Sequence, residues 1–210
     1  MNPNDVKNMY IYVADKLIEN EDYLTSIDIK IGDGDHGIGM SIGFQAVKNV
    51  LSSKNYNTVN EVFHDIGKTL LSSMGGASGV LFGTIFISGI VNYEEKKDFD
   101  VKDFADIFRV SLEKLKERGK AKLGDKTMID ALEPAVNALY EKAQIHSDIK
   151  EAFNYAKEKA QEGMENTKKY KASFGRAKYY GDKTIGIPDP GSVSVFIIFD
   201  SMSKWINDNL

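Results

Sequence analysis

The stretch "IDIKIGDGDHGIGM", residues 27–40, decides between two folds. Read one way, Ile27, Ile29 and Ile31 alternate like a half-buried strand and run into Asp33-Gly34-Asp35. That imitates the strand followed by D-x-D-x-T of an aspartyl phosphatase. The imitation fails at Gly37, where Thr or Val is required, and the βαβ alternation of such a fold is missing downstream. Read the other way, the stretch is an acidic, glycine-rich loop that opens a helix after His36. The rest of the chain favours the second reading.

Working outward, helical spacing recurs almost everywhere. Val6, Met9, Tyr10, Val13, Leu17 and Ile18 follow Pro3, a good first-turn residue. A second helix runs from after His36 to about Leu51, and Thr58 caps a third through Leu71. "GGASG" (75–79) interrupts before an apolar helix over 80–92. Residues 101–118 carry a clean amphipathic stripe. Asp125 is a candidate cap for a sixth helix, in which Pro134 predicts a kink. A charged helix spans 147–170, residues 171–191 are irregular, and 192–208 is ambiguous, since "SVSVFIIF" has strand propensity. Short connections between helix-period segments indicate an all-α bundle. "GDKT" occurs at both 124–127 and 181–184, but the flanks differ and the repeat reads as coincidence.

The bulk composition narrows the function classes. The chain has 210 residues, a prior for one domain, and 42% of them are hydrophobic, enough for a real core. A net charge of −4 argues against a nucleic-acid partner. With no cysteine there are no disulfides or thiolate metal sites. The start lacks a signal-peptide pattern, and the apolar run 80–91 is too short to span a bilayer, so no membrane role and a cytoplasmic location are expected.

Asp28, Asp33 and Asp35 are close in sequence with only Lys30 as a cationic neighbour. Their mutual repulsion is relieved if they hold Mg²⁺, which takes a few carboxylates together with water and phosphate oxygens. A solvated acidic turn with Asp33 and Asp35 as helix caps fits the spacing equally well. His36 suits a phosphate contact, a general base, a metal ligand, or a structural histidine at a helix start. Two familiar loops are excluded. An EF-hand starting at Asp33 lacks its ligands at Gly37 and Phe44, and both "GDKT" copies place Asp where a Walker A loop needs Gly directly before Lys.

Other stretches point to phosphate. "MGGASG" (74–79) puts glycines and Ser78 just before a helix, where free N–H groups favour an anion; close helix packing through small residues explains them too. "KKYKASFGRAK" (168–178) holds five basic residues and no acid, which suits either a solvated face or, with "DPG" (189–191), a lid.

Taken together, "IDIKIGDGDHGIGM", "LLSSMGGASGVLFGT", "RGKAKLGDKTMIDALEPA" and "GRAKYYGDKTIGIPDPGS" resemble the nucleotide-binding L subunits of dihydroxyacetone kinase, the DhaL family, in the family's own order. The resemblance implies one domain over 1–210, an all-α, eight-helix antiparallel barrel with the nucleotide site at one end, and hence a helical last segment. It implies that Asp28, Asp33 and Asp35 ligate two Mg²⁺ ions bridging the phosphates of ADP or ATP. It places His36, Gly37, Ile38 and Gly39 along the nucleotide, Ala77 and Ser78 at its phosphates, and Gly119 and Met128 at the nucleoside. It also implies that Arg176 is the catalytic residue of a lid and that Asp189, Pro190 and Gly191 belong to the same side of the site. Two positions depart from many relatives: Gly39 stands in place of Asn, and Ile187 in place of His.

Family members work in two ways, as single-chain kinases using ATP or as separate K, L and M subunits. His36 after "DGD" resembles the second branch, and with the 210 residues taken up by the L domain no K domain is expected. There the L subunit keeps its nucleotide, a phosphohistidine carrier (M) of the phosphotransferase system recharges it, and phosphate passes to dihydroxyacetone on K. A homodimer is also expected. The alternatives are a subunit of an ATP-dependent kinase for a related short sugar and a non-catalytic sensor of nucleotide state.

Overall fold

Local capping residues set several of the helix starts. In the computed structural model, which describes residues 1–210, the Asn2 side chain accepts the N–H groups of Asn4 and Asp5 at the head of α1 (Pro3–Glu19). Asp5 reaches back to the Asn2 N–H, completing a reciprocal capping box. Thr58 and Glu61 repeat the device at α4 (Val59–Ser73), as do Asp100 and Asp103 at α6 (Val101–Gly119). The other helices are α2 (Glu21–Asp28), α3 (His36–Ser52), α5 (Gly76–Ile87), α7 (Ile129–Gln144), α8 (Ile149–Asn166) and α9 (Pro190–Asn209). Two 3₁₀ segments, Thr167–Lys169 and Ala177–Thr184, lie between α8 and α9, and there is no strand.

The all-α class is confirmed, with corrections in detail. Nine helices stand where eight are expected, because residues 21–28 form α2. The strand-like Ile27/Ile29/Ile31 alternation has a different cause. Ile27 closes α2 facing the core, Ile29 is 63% exposed at the helix end, and Ile31 returns to the core after the turn. Helix α5 begins at Gly76 rather than 80, so "GGASG" is its first turn. Asp125 does not cap α7: its carboxylate accepts the Lys122 N–H, while Asp130, in the first turn of α7, accepts the N–H groups of Gly124 and Thr127 in the loop before the helix. Helix α9 starts at Pro190, not 192.

Each long helix packs on the next, from α1 to α3 and on through α9, and α9 returns against α1 while α2 lies across α3 and α9. Fifty-two buried apolar residues, drawn from all nine helices, form one core. At its centre the Phe63 ring has Tyr10, Phe86, Phe99, Phe104 and Phe108 within 6.4 Å, mostly edge-on or tilted as aromatic quadrupoles prefer. Pro134 lies inside α7 and has no N–H for the Asp130 carbonyl. Gly163 of α8 packs against that carbonyl so closely that a Cβ would collide with it. Helix α9 overrides the β propensity of its sequence because it is enclosed by α1, α2, α7 and α8, burying serines as well as aliphatics. A helix satisfies its own backbone there, which an isolated buried strand cannot do.

Asp189 caps α9, accepting from the Ser192 N–H at 2.7 Å, with Ser192 Oγ 3.0 Å from the same carboxylate oxygen. Burial pushes its carboxyl up to about 6. A folded-state value above the unfolded one means that folding favours the neutral acid. The contribution is therefore complete below about pH 4 and lost as the pH rises through about 6. Asp189→Asn keeps a capping acceptor and should flatten this part of the stability curve of the ligand-free chain. Urea unfolding at stepped pH tests it, and parallel curves for the two proteins would refute it. The Tyr10 hydroxyl is fully buried among Phe63 and Phe86 without a hydrogen-bond partner. Tyr10→Phe removes that orphan and should stabilise the fold by about 1 kcal/mol, read as a raised Tm.

Candidate functional site

The up-and-down course of the chain brings the N-termini of α3, α5, α7 and α9 to one end. His36 opens α3, and its Nε2 shares a 2.8 Å hydrogen bond with Ser194 of α9. The same ring lies 6.2 Å from Phe82 of α5. Ser192 at the start of α9 donates to the Thr127 carbonyl, just before α7. Helix N-termini carry partial positive charge and unpaired N–H groups, so this end favours anions. Helices α3, α5 and α7 have no side-chain cap, in contrast to α1, α4 and α6.

The acidic loop lies at the same end. Asp28 is buried at the close of α2, and its Oδ2 accepts the N–H groups of Gly34 (2.9 Å) and His36 (3.3 Å), folding the loop back over the helix. Gly34 takes φ = +79°, a turn conformation favoured by glycine, and a Cβ on Gly32 would collide with the Asp28 carboxylate. As a result, carboxylate oxygens of Asp28, Asp33 and Asp35 lie within 4.8 Å of one another. Asp35 occupies the cap position of α3 but makes no side-chain cap bond, which removes the cap explanation for it. Burial first, and then the charges of Asp33 and Asp28, raise its pKa. The set fits a divalent cation: the donors are hard oxygens, and their spread is close to the about 4.2 Å across an octahedral Mg²⁺.

Residues 168–187 leave the bundle and return. Gly186 N–H donates to the Lys168 carbonyl at 2.7 Å across the neck of this excursion. Its far end reaches the acidic loop: Arg176 Nη1 stands 2.6 Å from Asp33 Oδ2, and the Tyr180 hydroxyl donates to the Gly32 carbonyl at 3.0 Å. The Arg176 side chain is 69% exposed, so the pair is accessible to a ligand.

The remaining predicted residues fall around this end in different attitudes. The His36 ring turns inward to Ser194 and the Pro190 backbone, and burial lowers its pKa. Gly37 is a packing position, since a Cβ would meet the Glu21 carbonyl and Thr25. Ile38 is 47% exposed, and Gly39 faces open space, so the glycine at that position relieves no clash. Ala77 and Ser78 form the first turn of α5. Gly119 ends α6 facing only Leu81, and buried Met128 touches the position of a Gly191 Cβ. Asp189 and Pro190 begin α9.

Tyr180, Lys126, Asp130 and Thr167 also join this end of the molecule, and none of them is marked out as a functional residue by the sequence. Lys126 belongs to the first "GDKT" and is buried, whereas Lys183 of the second is exposed, so the two copies do different work. Gly124 and Lys126 both take positive φ in the first copy, but only Gly181 does so in the second. No local pattern announces a buried lysine. The available signal is a lysine within a glycine-containing turn just before an apolar helix.

Comparison with known proteins bears on the family and the fold. The DAK2 domain model matches residues 30–204. The chain is 36% identical over 189 residues to the ADP-binding subunit DhaL of PEP-dependent dihydroxyacetone kinase 1 from Listeria innocua, covering 90% of this chain and 89% of that one. It is 33% identical over 198 residues to the corresponding DhaL subunit of Escherichia coli, covering 94% of each. Its fold superposes with a TM-score of 0.74 and 26% identity on the dihydroxyacetone kinase of C. freundii in complex with AMP-PNP and Mg²⁺, covering 95% of this chain and 33% of that one. The chain belongs to the DAK2 domain family and, within it, to the DhaL subunits.

Proposed function

We propose that this chain is the nucleotide-carrying L subunit of a dihydroxyacetone kinase that takes phosphate from a phosphohistidine carrier. One observation carries the reading: three carboxylates converge where four helices point their N-termini, with an arginine already standing on one of them. Repelling carboxylates beside anion-attracting helix ends suit a cation–polyphosphate pair better than either ion alone. The names of the relatives support ADP as the nucleotide and phosphoenolpyruvate as the distant donor. The proposal extends to two Mg²⁺ ions, a dihydroxyacetone-holding K partner, an M carrier, a homodimer of L and a cytoplasmic location.

In this reading Asp28, Asp33 and Asp35 hold the metal, which when bound neutralises phosphate charge. The N–H groups at the start of α5, around Ala77 and Ser78, and those of Gly37 and Ile38 face the phosphates, and Gly39 lines the nucleotide through its open Cα face. Gly119 and Met128 flank the nucleoside. Arg176 meets the charge that builds on the transferring phosphoryl group. Phosphoryl transfer asks chiefly for positioning and charge stabilisation, so none of these side chains acts as a nucleophile. The base for the ketose hydroxyl belongs to the partner that holds the ketose.

Asp33→Asn and Asp35→Asn should each abolish Mg-dependent ADP binding, and EDTA should do the same to the parent chain; calorimetry that shows binding after any of these sinks the metal assignment. Saturating Mg-ADP should raise the melting temperature, since a ligand at a thousand times its Kd adds about 4 kcal/mol. Arg176→Ala should slow triose phosphorylation with K and M partners about a hundredfold or more while changing ADP affinity little. Arg176→Lys should recover little, because a point charge lacks the planar fork. Equal losses of affinity and turnover would reduce Arg176 to a binding residue.

A further inference from the structure

Lys126 is only 2% exposed, and its side chain has no carboxylate in a salt bridge. Its Nζ donates to the Thr167 carbonyl at 2.6 Å and also to the Ile187 carbonyl. These two carbonyls are the departure and return points of the 168–187 excursion. The ammonium thus binds both ends of the segment carrying Arg176. Neighbouring bonds support the same join: Asp189 N–H donates to Thr167 Oγ1 at 2.9 Å, Ser173 N–H to the Asp125 carbonyl at 3.2 Å, and Gly186 N–H to the Lys168 carbonyl.

Two features weigh against a lysine at this position. Its backbone takes φ = +61°, a region unfavourable to residues with a Cβ, and its charge is withdrawn from water. Burial lowers the Lys126 pKa, and the nearby Asp189 and Asp130 offset this in part by favouring the charged form. Carbonyls at two chain positions far apart in sequence need donors at a single point, and an ammonium with three N–H groups on a long arm supplies them. No apolar residue of similar length can do so.

We propose that Lys126 is a positioning residue for phosphoryl transfer, clasping both ends of the 168–187 segment and thereby setting where Arg176 stands over the acidic loop. The proposal rests on the nucleotide and Arg176 reading given above. Lys126 touches no reacting atom; it acts through the segment, whose far end is located by the Arg176–Asp33 and Tyr180–Gly32 contacts. With the clasp removed, the segment keeps its sequence and its arginine but loses a fixed stem. A displacement of about 1 Å at a reacting group lowers rate by about a hundredfold.

The experiment is a double-mutant cycle of Lys126→Met and Arg176→Ala, read as triose phosphorylation with the K and M partners and as hydrogen exchange of the isolated chain. Lys126→Met should slow turnover by about ten- to a hundredfold without altering the KM for the ketose, which binds elsewhere. It should speed exchange in 168–187 while α4 stays protected, and it should cause no further loss in the Arg176→Ala background. Lys126→Arg, which keeps charge and donors, should recover part of the turnover. Unchanged turnover, additive losses, or exchange that rises equally in α4 would overturn the proposal. Should the methionine variant fail to fold, the same cycle with Lys126→Gln decides by the same outcomes. Full activity in Arg176→Ala alone would instead refute the role given to Arg176, a different failure from a slow Arg176→Ala beside a normal Lys126→Met.

Discussion

Three carboxylates within 4.8 Å of one another repel, and much of the site end of this molecule exists to hold them there. Asp28 is fixed at the end of a helix by backbone N–H groups that it accepts from across the loop. Glycines at 32 and 34 let the chain double back closely enough to bring Asp33 and Asp35 alongside. Four helix N-termini then add partial positive charge to the same volume. The arrangement is uncomfortable by itself, as the raised pKa of Asp35 records, and becomes favourable once a cation and an anion enter together.

The bundle explains why such a site can be built from loops. The loops that bear the motifs, around 29–35, 74–76, 120–128 and 167–189, all lie at one end because successive helices alternate in direction. The opposite end holds the capping boxes of α1, α4 and α6, in each of which the helix's own cap residue binds at least one first-turn N–H group. Function is thus segregated by polarity: helices that begin away from the site carry their own caps, and three of the four that begin at it lack a side-chain cap. Asp189 is the exception, capping α9 while marking the end of the excursion that carries Arg176.

Legibility differed from element to element. The helix starts near Pro3, Thr58 and Val101 were readable from a first-turn proline, a capping threonine and an amphipathic stripe, each a signal carried by neighbouring residues. The acidic loop was readable as chemistry but ambiguous in purpose, since spacing alone does not separate a cap from a ligand; the missing cap bond at Asp35 separates them. The alternating isoleucines looked like a strand because a helix end and the turn after it can reproduce a period of two over a few residues. Asp125 looked like a cap because it is the right residue type, but its carboxylate turns back to the Lys122 N–H and not to the start of α7.

By itself, the sequence determined the helical class, the composition of the acidic loop, the four motifs and their order, because each depends on residues near one another along the chain. Tertiary structure alone decided that residues 192–199 are helical, that Lys126 joins Thr167 to Ile187, and that Arg176 meets Asp33 across more than half the chain's length in sequence. Those outcomes depend on burial and on which groups the closed bundle brings within hydrogen-bond reach. No local preference encodes them: a lysine is ordinarily solvated and an Ile/Val/Phe run ordinarily favours a strand, until enclosure by other helices reverses both.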